Sequence, residues 1–290
     1  MYYIIFNPTA GAGRSYKAMN IVTKYLQDNS IKYKEAHTEY KRHATKLAKA
    51  AIGKGYKGII SVGGDGTLLE VAEELFGTDE KLGIIPAGTG NDFRQSVNVP
   101  KDITSALQII LSGNTKLVDV GFLDDNQPFL NVAGAGFDVS VIRNTQKVRK
   151  IATGGLAYFI GILMSIIKYK SVRLRITANG ESFVRDVLLI AVANGKCFGG
   201  GLYVAPNASV QDGLFNVLIL KHAPRWRILF ELPKLKKGRV EKISVAEQFM
   251  CSQITIECDS SQAFDIDGEI CGHTPKTLVI KPSALNVFCP

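Results

Sequence analysis

The chain has 290 residues, 46% hydrophobic and 21% charged, with a formal net charge of +9. That length holds two ordinary domains or one large one, and the composition excludes a disordered or fibrous chain. The charge favours an anionic partner, whether nucleic acid, an anionic lipid surface or a phosphorylated metabolite. The dense basic runs of a nucleic-acid arm are missing, so nucleic acid is not the expected partner.

Five cysteines show no C-x-x-C spacing and no zinc-like spacing with the four histidines. They read as reduced cytosolic thiols used for packing. The N-terminus opens into Tyr2-Tyr3-Ile4-Ile5-Phe6 without a charged n-region, so no secretory signal is expected. The longest apolar run, Leu156 to Ile167, is broken by Gly161 and Ser165. It is shorter than the ~20 residues a membrane-spanning helix needs. The expected location is cytoplasmic, with peripheral membrane contact.

In chain order, residues 2–6 read as a buried strand. Asn7-Pro8-Thr9-Ala10-Gly11-Ala12-Gly13-Arg14 is a glycine-containing turn, and Ser15 to Gln27 is helical with Met19, Val22 and Leu26 on one face. The turn lacks the G-K-S/T of a Walker A loop, and Tyr16 stands where a dinucleotide fingerprint has its third glycine. Ile31 to Thr38 reads as a strand and Ala44 to Ile52 as a helix. The run Gly58-Ile59-Ile60-Ser61-Val62 is a buried strand that leads into Gly63-Gly64-Asp65-Gly66-Thr67. A helix follows, apolar at 68, 71, 72 and 75. Glycines on such a strand-to-helix turn admit a ligand to the backbone, and the helix start suits a phosphate. Asp65 fits there if Mg²⁺ or a proton lies between it and the phosphate.

Leu82 to Ile85 is a further strand, running into Pro86-Ala87-Gly88-Thr89-Gly90-Asn91-Asp92-Phe93. Thr104 to Leu111 is helical, and Leu117-Val118-Asp119-Val120-Gly121 starts another strand. This alternation predicts a doubly wound, mostly parallel α/β domain over residues 1–121, with ligands at the carboxyl ends of its strands. After residue 122 the rhythm changes. Strands are expected at Phe129–Ala133, Val172–Thr177, Val184–Val192, Leu214–Leu220, Ile254–Glu257 and Thr277–Ile280, with an Asn179-Gly180 hairpin turn. Helical patches interrupt them at about 138–169 and 225–237. Residues 122–282 are thus expected to form a β-sandwich-like domain, with a ligand cleft between the two domains.

Asn7-Pro8 with Gly11, the Gly63–Thr67 turn and the Pro86–Phe93 loop together resemble the three nucleotide-loop signatures of the diacylglycerol-kinase catalytic-domain family. That family includes soluble bacterial lipid kinases, sphingosine kinases and ceramide kinases. Asp119, Asp212 in Gln211-Asp212-Gly213-Leu214, the Asp267-Gly268-Glu269 stretch and the ending Pro282-Ser283-Ala284-Leu285 extend the resemblance over essentially the whole chain, in order. NAD kinases and phosphofructokinases carry turns like Gly63–Thr67. The Gly-Thr-Gly-Asn-Asp loop separates this chain from both. The resemblance also implies that a tail of about residues 283–290 returns to the first domain.

The resemblance implies ATP and Mg²⁺ as cofactors. It places Asn7, Gly64, Gly66, Thr67, Gly88, Thr89 and Asn91 at the nucleotide. Arg14 is a further candidate phosphate contact, since a guanidinium matches phosphate oxygens; Thr38 and Glu70 are candidates at the base and ribose. Asp65, Asp92 and Asp119 are the implied metal oxygens. Asp212, with the carbonyls of Ser209 and Leu214, is the implied structural Mg²⁺ site. The acceptor alcohol must lose a proton to a carboxylate. Glu269 is the expected base, with Asp267 orienting it or helping the metal water; on a strand both would face one side unless Gly268 bends it, and Asp65 is the alternative base. The basic stretches Lys147–Lys150 and Lys234–Arg239, each beside apolar helix, are candidate contacts for anionic lipid, where a near-surface Lys or Arg contributes about 1 kcal/mol.

The expectation is an ATP-dependent lipid kinase, with diacylglycerol as the leading acceptor and phosphatidylglycerol or a sphingoid base as alternatives. Against a soluble-metabolite kinase of the NAD-kinase type speaks the expected absence of a second, adenine-binding Gly-rich loop from the β-rich half. A non-catalytic nucleotide-binding regulator has no need for Asp65, Asp119, Asp267 and Glu269 together. An exposed strand edge in the β domain is the expected route to a homodimer.

Overall fold

The structure is a computed structural model, described here over residues 1–124, 126–148, 160–165 and 171–290. The chain divides into two compact units, Met1–Val120 with Pro282–Pro290, and Gly121–Lys281.

In the first unit, β1 (Tyr2–Phe6), β2 (Tyr33–His37), β3 (Ile59–Gly63) and β4 (Lys81–Pro86) alternate with α1 (Arg14–Asp28), α2 (His43–Ala51), α3 (Asp65–Leu75), the short α4 (Phe93–Ser96) and α5 (Ile103–Ser112). β1, β3 and β4 are buried along their whole length apart from Lys81, so their runs are continuously apolar rather than alternating. The strand order is β2-β1-β3-β4, all parallel. The helices associate as α1 with α5 and α2 with α3, the two-sided cover of a doubly wound sheet. In this order the chain reverses direction between β1 and β3. The crevice beyond the carboxyl ends of those neighbouring strands is where such sheets bind ligands. The end of the chain extends the sheet: Asn286 and Val287 pair in parallel with Lys81 and Leu82 of β4.

β5 (Thr115–Leu123) leads into the second unit. There β6 (Gln127–Phe129), β7 (Val132–Gly136), β8 (Val172–Ala178), β9 (Glu181–Ala193), the small β10 (Cys197–Phe198) and β11 (Leu202–Tyr203) pair, β12 (Phe215–Lys221), β13 (Ala246–Cys251), β14 (Gln253–Glu257), β15 (Ala263–Ile266), β16 (Glu269–His273) and the first half of β17 (Lys276–Phe288) pair antiparallel. The Asn179-Gly180 turn joins β8 to β9, with both residues at positive φ as a type I′ turn requires.

β9 and β12 are apolar on both faces. Ile190, Val192, Phe215 and Val217 enter the sandwich core around Phe129 and Phe264. Leu189, Ala191, Leu218 and Leu220 face a second core built with α6 (Phe137–Val148), the helical residues 160–165 and α7 (Arg225–Lys236).

Four differences from the sequence reading have physical causes. The expected strand Phe129–Ala133 breaks into β6 and β7, because the N–H groups of residues 130–132 are taken by the Asp267 carboxylate rather than by a ladder. β13, β15 and β16 are not predicted, being only four to six residues long and each interrupted by charged or polar side chains. The last strand is 13 residues long, not four. Asp267 and Glu269 do not share a strand face: Asp267 (φ 47°) and Gly268 (φ 83°) form the turn between β15 and β16, an Asp-Gly pairing that favours such turns. Arg149, Lys150, Gly154 and Gly155 of the first basic-apolar stretch lie outside the described residues, as does most of its apolar run.

Candidate active site

Three loops meet at the switch point of the first unit, after β1, β3 and β4. Asn7 ties the first to the second: its Nδ2 donates to Thr67 Oγ1 at 2.8 Å, while its Oδ1 accepts from Thr9 N and Oγ1 at 3.0 and 2.9 Å. Arg14 ties the first to the third, donating from Nε to Gly11 O at 2.9 Å and from Nη2 to Thr89 Oγ1 at 2.8 Å. Asp65 ties the second to the third. Its carboxylate accepts from the N–H groups of Asn91 (2.7 Å), Asp92 (2.7 Å) and Phe93 (3.4 Å). Asn91, at φ 54°, closes its own loop by accepting from Gly88 N at 2.9 Å and donating to Gly88 O at 3.0 Å.

The glycines of these loops divide into two kinds. A Cβ on Gly88 would lie 2.3 Å from Gly64 Cα, and one on Gly11 would lie 2.1 Å from Ala87 O. Those two are glycine because loop backbones press on each other. Gly66 is exposed in the first turn of α3, and a Cβ there would meet nothing within 4 Å. No protein atom explains it, and a glycine there leaves the backbone open to the approach of a ligand. α3 starts at Gly64 with no side-chain cap, the kind of helix start that can receive an anion.

A Cβ on Gly90 would lie 2.9 Å from Asp65 Oδ2 and 3.3 Å from Asp92 Oδ2. The absent side chain thus leaves a space flanked by two carboxylates. Burial pushes the Asp65 carboxyl above its ordinary range, and the four backbone N–H donors, its own among them, only partly offset this. A buried carboxylate in that condition is stabilised by a cation, so Asp65 and Asp92 fit a divalent metal. Asp119 is not brought to them. It is fully buried, and its Oδ1 accepts from Ser283 N at 2.9 Å, fastening the returning tail. Among the described residues, no three His, Cys, Asp or Glu side chains gather as a metal cluster.

Other expected site residues have local tasks. Glu70 accepts from Arg42 N (3.0 Å) and Ala44 N (3.2 Å), serving the start of α2, where Arg42 is left-handed and offers no cap of its own. Thr38 is buried just past β2, its N–H donating to Phe6 O at 2.9 Å. Asp212 is exposed and accepts from Leu214 N at 3.0 Å in a local turn. In the second unit, Asp267 accepts from Leu130, Asn131 and Val132 N–H at 2.8, 2.9 and 3.0 Å, and its own N–H donates to Val132 O at 2.9 Å. Glu269 stands exposed at the first position of β16.

The sequence reading missed an apolar pocket inside the second unit. Phe137 and Val141 of α6, Ile162, Leu189 and Leu220 of the sheet, and Ile228 of α7 line it. Apart from Glu231 its lining is wholly apolar. The signal was present: β9 and β12 carry apolar residues for two faces, more than one sandwich core requires.

With this geometry in place, comparison with known proteins is decisive. The model of the diacylglycerol kinase catalytic domain matches residues 1–123. That of the YegS C-terminal NAD kinase beta sandwich-like domain matches 131–289. A diacylglycerol kinase of Mycobacterium tuberculosis is 29% identical, over 98% of this chain and 93% of its own. A Klebsiella pneumoniae protein named "Probable lipid kinase YegS-like" is 30% identical, over 97% and 94%. A solved Bacillus anthracis chain superposes with TM-score 0.82 at 25% identity, over 100% of this chain and 97% of that one. The chain belongs to the diacylglycerol kinase family of lipid kinases, with the YegS-type C-terminal domain. It is an enzyme, a kinase.

Proposed function

We propose that this enzyme transfers the γ-phosphoryl group of ATP to a lipid hydroxyl, with diacylglycerol as acceptor and phosphatidate as product. The observation that carries the nucleotide half is Gly66: an exposed, sterically unexplained glycine at an uncapped helix start, on the switch point of a doubly wound sheet. The names of the relatives support the acceptor, and the apolar pocket of the second unit suits an acyl chain.

Phosphoryl transfer rests on positioning and charge neutralisation. The N–H groups of Gly66 and Thr67 receive phosphate oxygens, and Thr89 and Arg14 border them. Asp65 and Asp92 hold Mg²⁺, which when bound neutralises phosphate charge. Asp65 simultaneously locks the third loop against the second, so the two phosphate-facing backbones move as one. Glu269 accepts the proton of the acceptor hydroxyl. Asp267 keeps the backbone at 130–132 and the β15–β16 turn in place, and so positions Glu269.

The enzyme works at the cytoplasmic membrane surface as a peripheral protein; no helix among the described residues is long and apolar enough to cross a membrane. The test supplies γ-labelled ATP, Mg²⁺ and bacterial lipid extract in mixed micelles to wild type and Asp65→Asn. Label in the organic phase with wild type alone supports the reading, and the chromatographic position identifies the acceptor. No organic-phase label while ATP still binds would overturn it. Glu269→Gln is expected to lose turnover with its fold intact. Intact turnover in that variant, with Asp267→Asn folded and inactive, would move the base to Asp267.

A further inference from the structure

α7 is apolar on two sides. At 100° per residue, Ile228, Glu231, Leu232 and Leu235 fall on the inward side. Ile228 and Leu235 are buried and, with Leu232, line the apolar pocket. The opposite side carries Trp226, Leu229, Phe230 and Pro233. Trp226 is 63% exposed, Leu229 44% and Phe230 70%, and the Trp226 and Phe230 rings meet edge-on at 6.3 Å. A helix on a globular surface normally turns polar residues outward. A Trp and a Phe left in water forgo a large apolar burial.

The stripe is bordered by cations. Arg227 and Lys234 lie on one side of it and Lys236 on the other, followed by Lys237 and Arg239. The only acid of the helix, Glu231, is 7% exposed and faces inward. Lys234 Nζ reaches it at 2.6 Å and Arg227 Nε at 3.8 Å, so the outward face of α7 presents no carboxylate. Exposed apolar side chains also occur on the neighbouring helical residues 160–165, at Leu163 and Met164, beside the pocket-lining Ile162.

We propose that the outer face of α7 is the surface by which this kinase seats on an anionic bilayer, with Trp226, Leu229 and Phe230 in the headgroup–acyl boundary and the exposed Lys236, Lys237 and Arg239 at the headgroups. An aromatic-apolar stripe with a basic border is the chemistry of an interfacial helix. Each near-surface cation adds attraction to anionic lipid. Because the inner face of the same helix is a wall of the pocket, seating it brings the pocket to the lipid. The inference rests on the proposed membrane-lipid acceptor.

Trp226 is the only tryptophan of the chain, so its emission reports on this helix alone. The full chain is mixed with phosphatidylcholine vesicles, with and without phosphatidylglycerol, and with brominated acyl chains. The expected result is a blue shift and quenching by brominated lipid, strongest with phosphatidylglycerol and weakened by salt. Leu229→Ala with Phe230→Ala lowers vesicle affinity about tenfold or more, while turnover of a short-chain diacylglycerol dispersed as monomers is unchanged. Sedimentation with vesicles while Trp226 stays unquenched overturns the proposal, since another surface then docks. So does a double variant that loses self-association in sedimentation velocity yet keeps its vesicle affinity, since the face then joins two copies. Quenching that persists in an enzyme phosphorylating no lipid, short-chain or vesicular, upholds the docking face and overturns the acceptor.

Discussion

Gly66 and Gly88 lie in similar loops, but the protein constrains them oppositely. Gly88→Ala drives a Cβ into Gly64 Cα, and neither backbone can yield without separating the second and third loops. We expect loss of activity and at least ~2 kcal/mol of stability, read by urea unfolding. Gly66→Ala meets open space within a helix, so stability holds or rises by up to ~1 kcal/mol while ATP affinity falls. A melting curve beside nucleotide titration separates the two, and an unchanged affinity in Gly66→Ala would sink the phosphate assignment. Asp267→Asn replaces a carboxylate that accepts three backbone N–H groups with an amide that has one acceptor oxygen. At least one N–H loses its partner, at a cost of about 1–3 kcal/mol. Denaturant unfolding at unchanged m-value checks this.

At the scale of elements, a salt-bridge triad joins three strands of the second unit. Glu247 of β13 accepts from Arg185 Nε and Nη2 of β9 at 3.0 and 3.1 Å and lies 3.1 Å from Lys221 Nζ of β12. The Arg185 hydrogen bonds hold the Glu247 carboxyl below its ordinary value of 4.5, with Lys221 adding to the effect against partial desolvation. A depressed carboxyl contributes stability above its unfolded pKa and loses it as pH falls through the folded one. Arg185 is about a third exposed, so solvent screening limits the contribution to about 0.5–1 kcal/mol. Glu247→Gln should therefore cost that much at neutral pH and nothing once pH falls well below 4.5. A pH series of thermal melts tests it, and a cost unchanged in acid would rule out the ionic origin.

For the whole molecule, the end of the chain belongs to the first unit. Leu285, Val287 and Phe288 are buried there, and Phe288 packs on Gly58 where a Cβ would lie 2.4 Å from its ring. Asn286 and Val287 also cover the edge of β4. Burying each of the three side chains contributes about 1.5–3 kcal/mol, which together rivals the ~5–15 kcal/mol margin of a domain. Truncation after Lys281 should leave an insoluble or unfolded first unit, seen as loss of the cooperative melt. A truncated chain melting within a few degrees of the full one would show that the tail is dispensable.

The sequence by itself determined the β–α alternation and its parallel sheet, because strands buried on both faces leave continuous apolar runs whereas amphipathic helices leave a 3.6-residue period. It also marked the three loops at strand ends by their glycines. It could not separate Gly88 from Gly66, since the two differ only in what the fold brings against them. It placed Glu70 at a ribose, whereas a start of α2 without a cap of its own, distant in sequence, claims that carboxylate. It left open whether Gly268 bends Asp267 away from Glu269, because local spacing carries no trace of the backbone at 130–132 that holds Asp267. β9 and β12 carry the signal of a second apolar face, but that this face holds a pocket, and that the outer side of α7 is exposed, were decided only by tertiary structure. An apolar residue has the same sequence signature whether it fills a core, lines a cavity or faces outward. Only the packing of α6, α7, β9 and β12 assigns each of theirs to one of the three.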